Sequence, residues 1–140
     1  MTATIPTQAD LSVNGIYAER CKCDLTDVDA LYVGNITVDV GKRDISTPER
    51  IRTEPSAVVG TLRVSYHNLL LGRVETRTMM IQNSHMHTGS VTAVATPVLI
   101  KKSVGIRAEI QLNSPGYANT DPNSANNVKI QKECVMSPPR

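Results

Sequence analysis

Phenylalanine and tryptophan are both missing from this 140-residue chain, and four tyrosines are its only aromatic side chains. Aromatic rings usually carry much of the buried area of a core or an interface. The core here must therefore be assembled from Val, Ile, Leu, Met and Ala. The same shortage disfavours stacking platforms for single-stranded nucleic acid. No apolar run approaches the roughly 18–20 residues of a membrane-spanning helix, which predicts no membrane span. Met1-Thr2-Ala3-Thr4-Ile5-Pro6 has neither the basic start nor the apolar stretch of a signal peptide. Cysteine is scarce and odd in number, at Cys21, Cys23 and Cys134. Without a signal peptide, that count predicts reduced thiols and an intracellular or virion setting.

Catalytic signatures are equally thin. There is no P-loop, no G-x-G-x-x-G and no G-x-S-x-G turn, so phosphate cradling and an activated serine have no support. Asp24, Asp27 and Asp29 lie close in sequence. They lack the glycine and distal glutamate of a calcium loop and read as a solvated face or a helix cap. No catalytic residue, cofactor or small-molecule substrate is expected.

Alternation dominates what is present. In 57–66, Val58, Gly60, Leu62, Val64 and Tyr66 share one phase; in 104–112, Val104, Ile106, Ala108, Ile110 and Leu112 do. In 128–136 the apolar phase is Val128, Ile130, Cys134 and Met136. Each pattern predicts a strand with one wet and one dry face, and Val64, Ile106, Ile110 and Ile130 are expected in one core. Residues 31–40 slip phase near Gly34, which predicts a β-bulge. Residues 73–82 read as a strand with both faces partly covered, and 11–20 as another short strand. Pro97 interrupts 90–100 and predicts an edge or a bend there. Helix signals are confined to residues 24–31 and to Ser46-Thr47-Pro48-Glu49, which resembles a capping box. Asn83–Ser90 and 113–127 read as polar loops.

Many short strands, turn signals and little helix predict an all-β, mostly β, single-domain antiparallel β-sandwich or jelly-roll-like barrel of seven or eight strands. Residues 1–136 would form one domain, with 1–10 as an extended arm, and 137–140 a disordered tail.

Two constellations merit attention. Cys21, Cys23, His85 and His87 form two i, i+2 pairs; on strands each pair would point to one side and together supply a tetrahedral zinc set. The spacing is unlike a zinc finger, and the stronger expectation is no metal, with solvated histidines and inert thiols. Arg63, Arg77 and Arg107 lie on the polar phase of predicted strands, with Lys101 and Lys102 nearby in sequence. Neighbouring strands would make them a positive stripe for phosphates.

Net charge is only +2, but residues 1–40 hold two basic and six acidic groups while 41–140 hold thirteen basic and seven acidic. An acidic end can meet the basic surface of a neighbouring copy. The leading expectation is a non-enzymatic, self-assembling structural subunit and homo-oligomer, such as a viral coat, decoration or matrix-like protein. The alternatives are a nucleic-acid-binding or transport module with a basic sheet face, and an adaptor that binds by strand addition.

Overall fold

The computed structural model describes residues 8–19, 21–23, 29–46, 54–56, 58–111 and 127–132. They form ten strands and one short helix: β1 (Gln8–Glu19), β2 (Lys22–Cys23), β3 (Ala30–Val33), β4 (Asn35–Ser46), β5 (Val58–Asn68), β6 (Arg73–Gln82), α1 (Asn83–Thr88), β7 (Ser90–Val94), β8 (Val98–Lys101), β9 (Ile106–Gln111) and β10 (Val128–Gln131). All pairings are antiparallel. The small sheet runs β1-β4-β7 and the large one β10-β9-β5-β8-β3-β2, with β6 on the other side of β5. The architecture is the all-β sandwich that the alternation predicts.

The strand count exceeds the sequence reading because two predicted strands each serve both sheets. At Gly34 the chain bends between β3 in the large sheet and β4 in the small one. The expected bulge is thus a corner, and it explains why Leu31 and Val33 on one phase and Ile36, Val38 and Val40 on the other are all buried. Pro97 marks the matching bend between β7 and β8, as its missing N–H requires. β1 and β2 cross in the same way. The order β1-β4-β7 is therefore mirrored as β2-β3-β8, three neighbouring strands folded together over one corner.

Bulges hide the remaining phases. Asn14 is the extra residue where β1 shifts register against β4, so burial passes from Leu11 and Val13 to Ile16 and Ala18. A shift between Val58 and Gly60 likewise lets Val59 turn inward ahead of Leu62, Val64 and Tyr66. These residues, with Ile81, Val91, Val94, Ile100, Ile106, Ala108 and Ile110, make one cluster between the sheets. Tyr66, 1% exposed, is the largest fully buried side chain.

Several expectations need correction. β10 has the opposite phase: Val128 and Ile130 point outward, beside Glu109 and Arg107, and Ile130 is 52% exposed. Lys129 takes the inner phase, opposite Ala108, and its ammonium reaches the Asn14 carbonyl of β1 at 3.3 Å. At this margin a long amphipathic chain spans to the rim of the other layer. Val104 is exposed in the turn before β9. β6 has the expected bounds; its outward phase is exposed save for Gln82, and its inner phase is partly covered, with Glu75 and Met79 half-buried and Ile81 fully buried. Asn83–Thr88 is a helix: the Gln82 N–H donates to His85 Nδ1 at 3.0 Å, and Gly89, at φ 79°, ends it by donating to the His85 carbonyl at 2.9 Å. Gln8–Asp10 are not an arm but the start of β1, paired with Arg43–Ser46. Residues 1–7, 20, 24–28, 47–53, 57, 112–126 and 133–140 lie outside the described residues, and with them most of the two predicted helix starts, all but the last residue of the 113–127 loop, Cys134 and the 137–140 tail.

Two predictions follow from the phases. Ile110→Ala, at a site with no exposure, will cost about 2–5 kcal/mol, whereas Ile130→Ala will stay within about 0.5 kcal/mol; urea denaturation of both variants checks the pair, and equal losses would refute the β10 phase. Gly105 has φ 75°, and a Cβ there would stand 2.6 Å from the Gln131 carbonyl oxygen. Gly105→Ala will destabilise by about 1 kcal/mol or more; a neutral result in the same assay would contradict the β9–β10 approach.

Candidate interaction face

The outward side of the large sheet is built by four adjacent strands whose register sets its side chains in rows. One row runs Ile130–Arg107–Ser65–Thr76, the next Val128–Glu109–Arg63–Thr78, and a third Gln111–Thr61–Met80. His67 and Val74 face each other beyond the first row. The polar phase of β5 and β9 supplies the centre, while β10 and β6 bring apolar residues to the margins. Val74, Met80, Val104, Val128 and Ile130 are all exposed. Ser65, Val74, Val104, Arg107 and Ile130 also line a shallow depression of about 270 Å³ over Gly105 and Tyr66.

The centre is pinned by polar contacts. The Arg107 guanidinium donates to Glu109 Oε2 at 2.6 Å, and Gln111 donates to the other oxygen of the same carboxylate at 3.1 Å. The Ser65 and Thr76 hydroxyls are 3.1 Å apart. Arg107 is therefore largely neutralised on this face, while Arg63 stands opposite Glu109 on one side and Thr78 on the other.

Arg77 does not join them. It pairs with Val64, so it belongs to the opposite side of the sheet. There its Nε points at the Tyr66 hydroxyl at 3.5 Å and it lies 3.5 Å from Glu75. The hydrogen bond to Tyr66, more than the Glu75 charge, holds the guanidinium above its ordinary pKa. Glu75 also accepts from the Asn68 amide. Lys101 and Lys102 sit at the β8–β9 turn beside Asp29. The five basic residues singled out in the sequence thus divide among three places: Arg63 and Arg107 outward, Arg77 on the reverse, and the two lysines at the turn. A continuous positive stripe is not formed.

The zinc geometry also changes. His85 and His87 share one helical turn, where residues two apart lie about 200° round the axis, so the strand argument for convergent imidazoles no longer holds. His85 Nδ1 is already an acceptor for Gln82. Cys21 is disulfide-bonded, which corrects the expectation of reduced thiols and removes its thiolate as a ligand. The Cys23 side chain lies outside the described residues. Among the described residues no three His, Cys, Asp or Glu side chains gather to hold a metal ion.

The acidic N-terminal part finds partners within its own chain. Asp10 lies opposite Arg43. Asp29 accepts from the Ser103 N–H and hydroxyl, both at 2.7 Å, while its own carbonyl accepts from the Lys102 N–H at 2.7 Å. The Ser103 hydroxyl, with help from Lys101 and Lys102, holds the Asp29 carboxyl below its ordinary pKa. A carboxylate with a lowered folded-state pKa stabilises above its unfolded value of about 3.9 and loses that contribution as pH falls through the folded one. Asp29→Asn will therefore lower thermal stability at pH 6–7, and the gap from the parent will close below about pH 4. A gap that is constant with pH would show that the charge is not what matters.

What the sequence analysis missed is the apolar margin of this face, because Val128 and Ile130 were assigned to the core and β6 to a covered strand. Beyond the fold and this face no relative assists the reading: comparisons with family models, curated proteins and solved structures find no match.

Proposed function

We propose that this protein is a non-enzymatic structural subunit that assembles with copies of itself, as coat, decoration or matrix-like proteins do. The observation that carries the reading is the outward face of the large sheet. Val74, Met80, Val104, Val128 and Ile130 stand exposed on or beside one sheet surface around a polar centre in which Arg107 is paired with Glu109. An apolar margin around paired charges is the composition of a surface that becomes buried against protein, and clustered exposed apolar residues mark such sites. The reading no longer relies on an acidic N-terminal arm, since β1 is part of the core and Asp10 and Asp29 have cationic neighbours in their own chain.

A basic sheet face for nucleic acid has less support. Arg77 is on the reverse side and Arg107 is paired with Glu109, so few free cations are left to neutralise phosphates. Salt separates the two readings. Phosphate binding weakens steeply with ionic strength through counterion release, whereas apolar association does not.

Sedimentation of the full chain over a range of concentration and salt will show mass rising with concentration and persisting at high salt. Val128→Asp with Ile130→Asp will weaken that association about tenfold or more while leaving the circular dichroism unchanged. A parent chain that stays monomeric at high concentration, with nothing else bound, refutes the proposal.

A further inference from the structure

β6 is a long edge strand of the large sheet. Among the described residues no strand pairs with its far side. Among the other described margins β2 has two residues, β10 four and β7 five, while β1, of twelve residues, is bulged at Asn14, whose carbonyl accepts from Lys129. β6 has ten residues and pairs with β5 without a shift from Gly60 to Asn68. It contains no proline, though Arg73, Glu75 and Arg77 put charge along it, and the one register shift in its pairing, between Val58 and Gly60, falls at its far end. Such an edge is a template for another strand.

We infer that this edge receives the β6 of a second copy, in antiparallel register about a two-fold axis at Thr76. The inference rests on the self-assembly reading and adds to its face contact a second one along this edge. A two-fold axis normal to the sheet keeps each side chain on its own face, so only residues of the same phase meet. Charge and the length of strand paired then choose among the registers. Centring on Val74 also sets opposite charges together, Arg73 against Glu75, but pairs only residues 73–75 of the strand, where an axis at Thr76 pairs 73–79. Centring on Glu75 or on Arg77 opposes like charges, and centring on Thr78 sets Glu75 against Ile81 and Arg77 against Met79. Centring on Thr76 sets Glu75 of each copy against Arg77 of the other, two opposite-charge pairs on one face. On the other face Thr76 meets Thr76 and Val74 meets Thr78. Cross-strand threonine and opposite-charge pairs are favourable and like charges are not.

The surroundings agree. The Arg77 side chain is 51% exposed, while that of Glu75, at 20%, is half-buried and held by Asn68 beside it. The row Ile130–Arg107–Ser65–Thr76 continues through the axis into its own copy. The four strands β10-β9-β5-β6 of each copy become one continuous sheet, with Val74 and Met80 of both copies on the outward face beside the seam.

The test uses full-length variants. Arg77→Glu gives a chain with two acidic residues at the contact, and Glu75→Arg gives one with two basic residues. Each alone will self-associate at least tenfold more weakly than the parent, and a mixture will recover association as a heteromer, because both cross-copy pairs are restored. The 3.5 Å ion pair within each strand is lost in both variants and is not rebuilt by mixing, so a purely intramolecular role predicts no recovery. As a second measurement, Thr76→Cys will form a disulfide between equivalent positions, identified by mass spectrometry of the linked peptide. An oligomer that is indifferent to both charge variants and forms no such link overturns this contact and leaves self-assembly standing. A parent chain that is monomeric throughout overturns both. A monomer that captures only a foreign strand at β6 likewise overturns the inference.

Discussion

Three neighbouring strands fold together over one corner, and the rest of the molecule is arranged around that line. β3 leaves the large sheet at Gly34 to become β4, β7 returns to it past Pro97 as β8, and β1 and β2 flank them. Because each strand contributes to both sheets, their pairings tie the two layers into one ladder, with Val33 opposite Val98 on one side of the corner and Ile36 opposite Val94 on the other. A strand that changes sheet must also change which phase faces the core, and this is where the apolar pattern slips. The alternation irregularities are thus the sequence imprint of sheet curvature.

From this corner the sandwich opens unequally. The three-stranded sheet covers β5, β8 and β9, whose inward residues are Leu62, Val64, Tyr66, Ile100, Ile106 and Ile110. Over the outer strands its cover is partial: β1 meets β10 at the Asn14 carbonyl, and of β6 it is Ile81 that is fully buried. β10 puts Lys129 rather than an isoleucine on the inner phase, and β6 puts Arg73, Glu75 and Arg77 there before Met79 and Ile81 turn onto the core. Polar inner phases at both margins are what an uncovered sheet requires, since a buried, unpaired charge would be costly. The apolar residues displaced outward at those margins are the ones that leave the surface suited to a partner. Core shape and candidate interaction face are two consequences of one mismatch in sheet width.

The functional argument accordingly moves from charge to edges. Separation of acidic and basic residues along the chain first points to head-to-tail contacts through an N-terminal arm. In the fold, Asp29 is held at the β8–β9 turn and β1 is buried against its neighbours, so much of that asymmetry is used internally. Exposed ion pairs contribute little free energy in any case. An open strand edge can satisfy a row of backbone groups at once, leaving the charges to choose the register.

The sequence by itself determined the class of fold, the strands β5, β6 and β9, the core positions Val64, Ile106 and Ile110, and the bend at Pro97. These are local properties: period-two alternation and a missing N–H act within a few residues. The tertiary structure alone decided which side of β10 meets the core, that the outward phase of β6 lies exposed, that Arg77 is on the reverse of Arg63 and Arg107, and that His85 and His87 share a helical turn. Alternation fixes the two faces of a strand relative to each other. Which of them is buried depends on the register with the neighbouring strand and on how far the opposite sheet reaches, and both are set by residues distant in the chain.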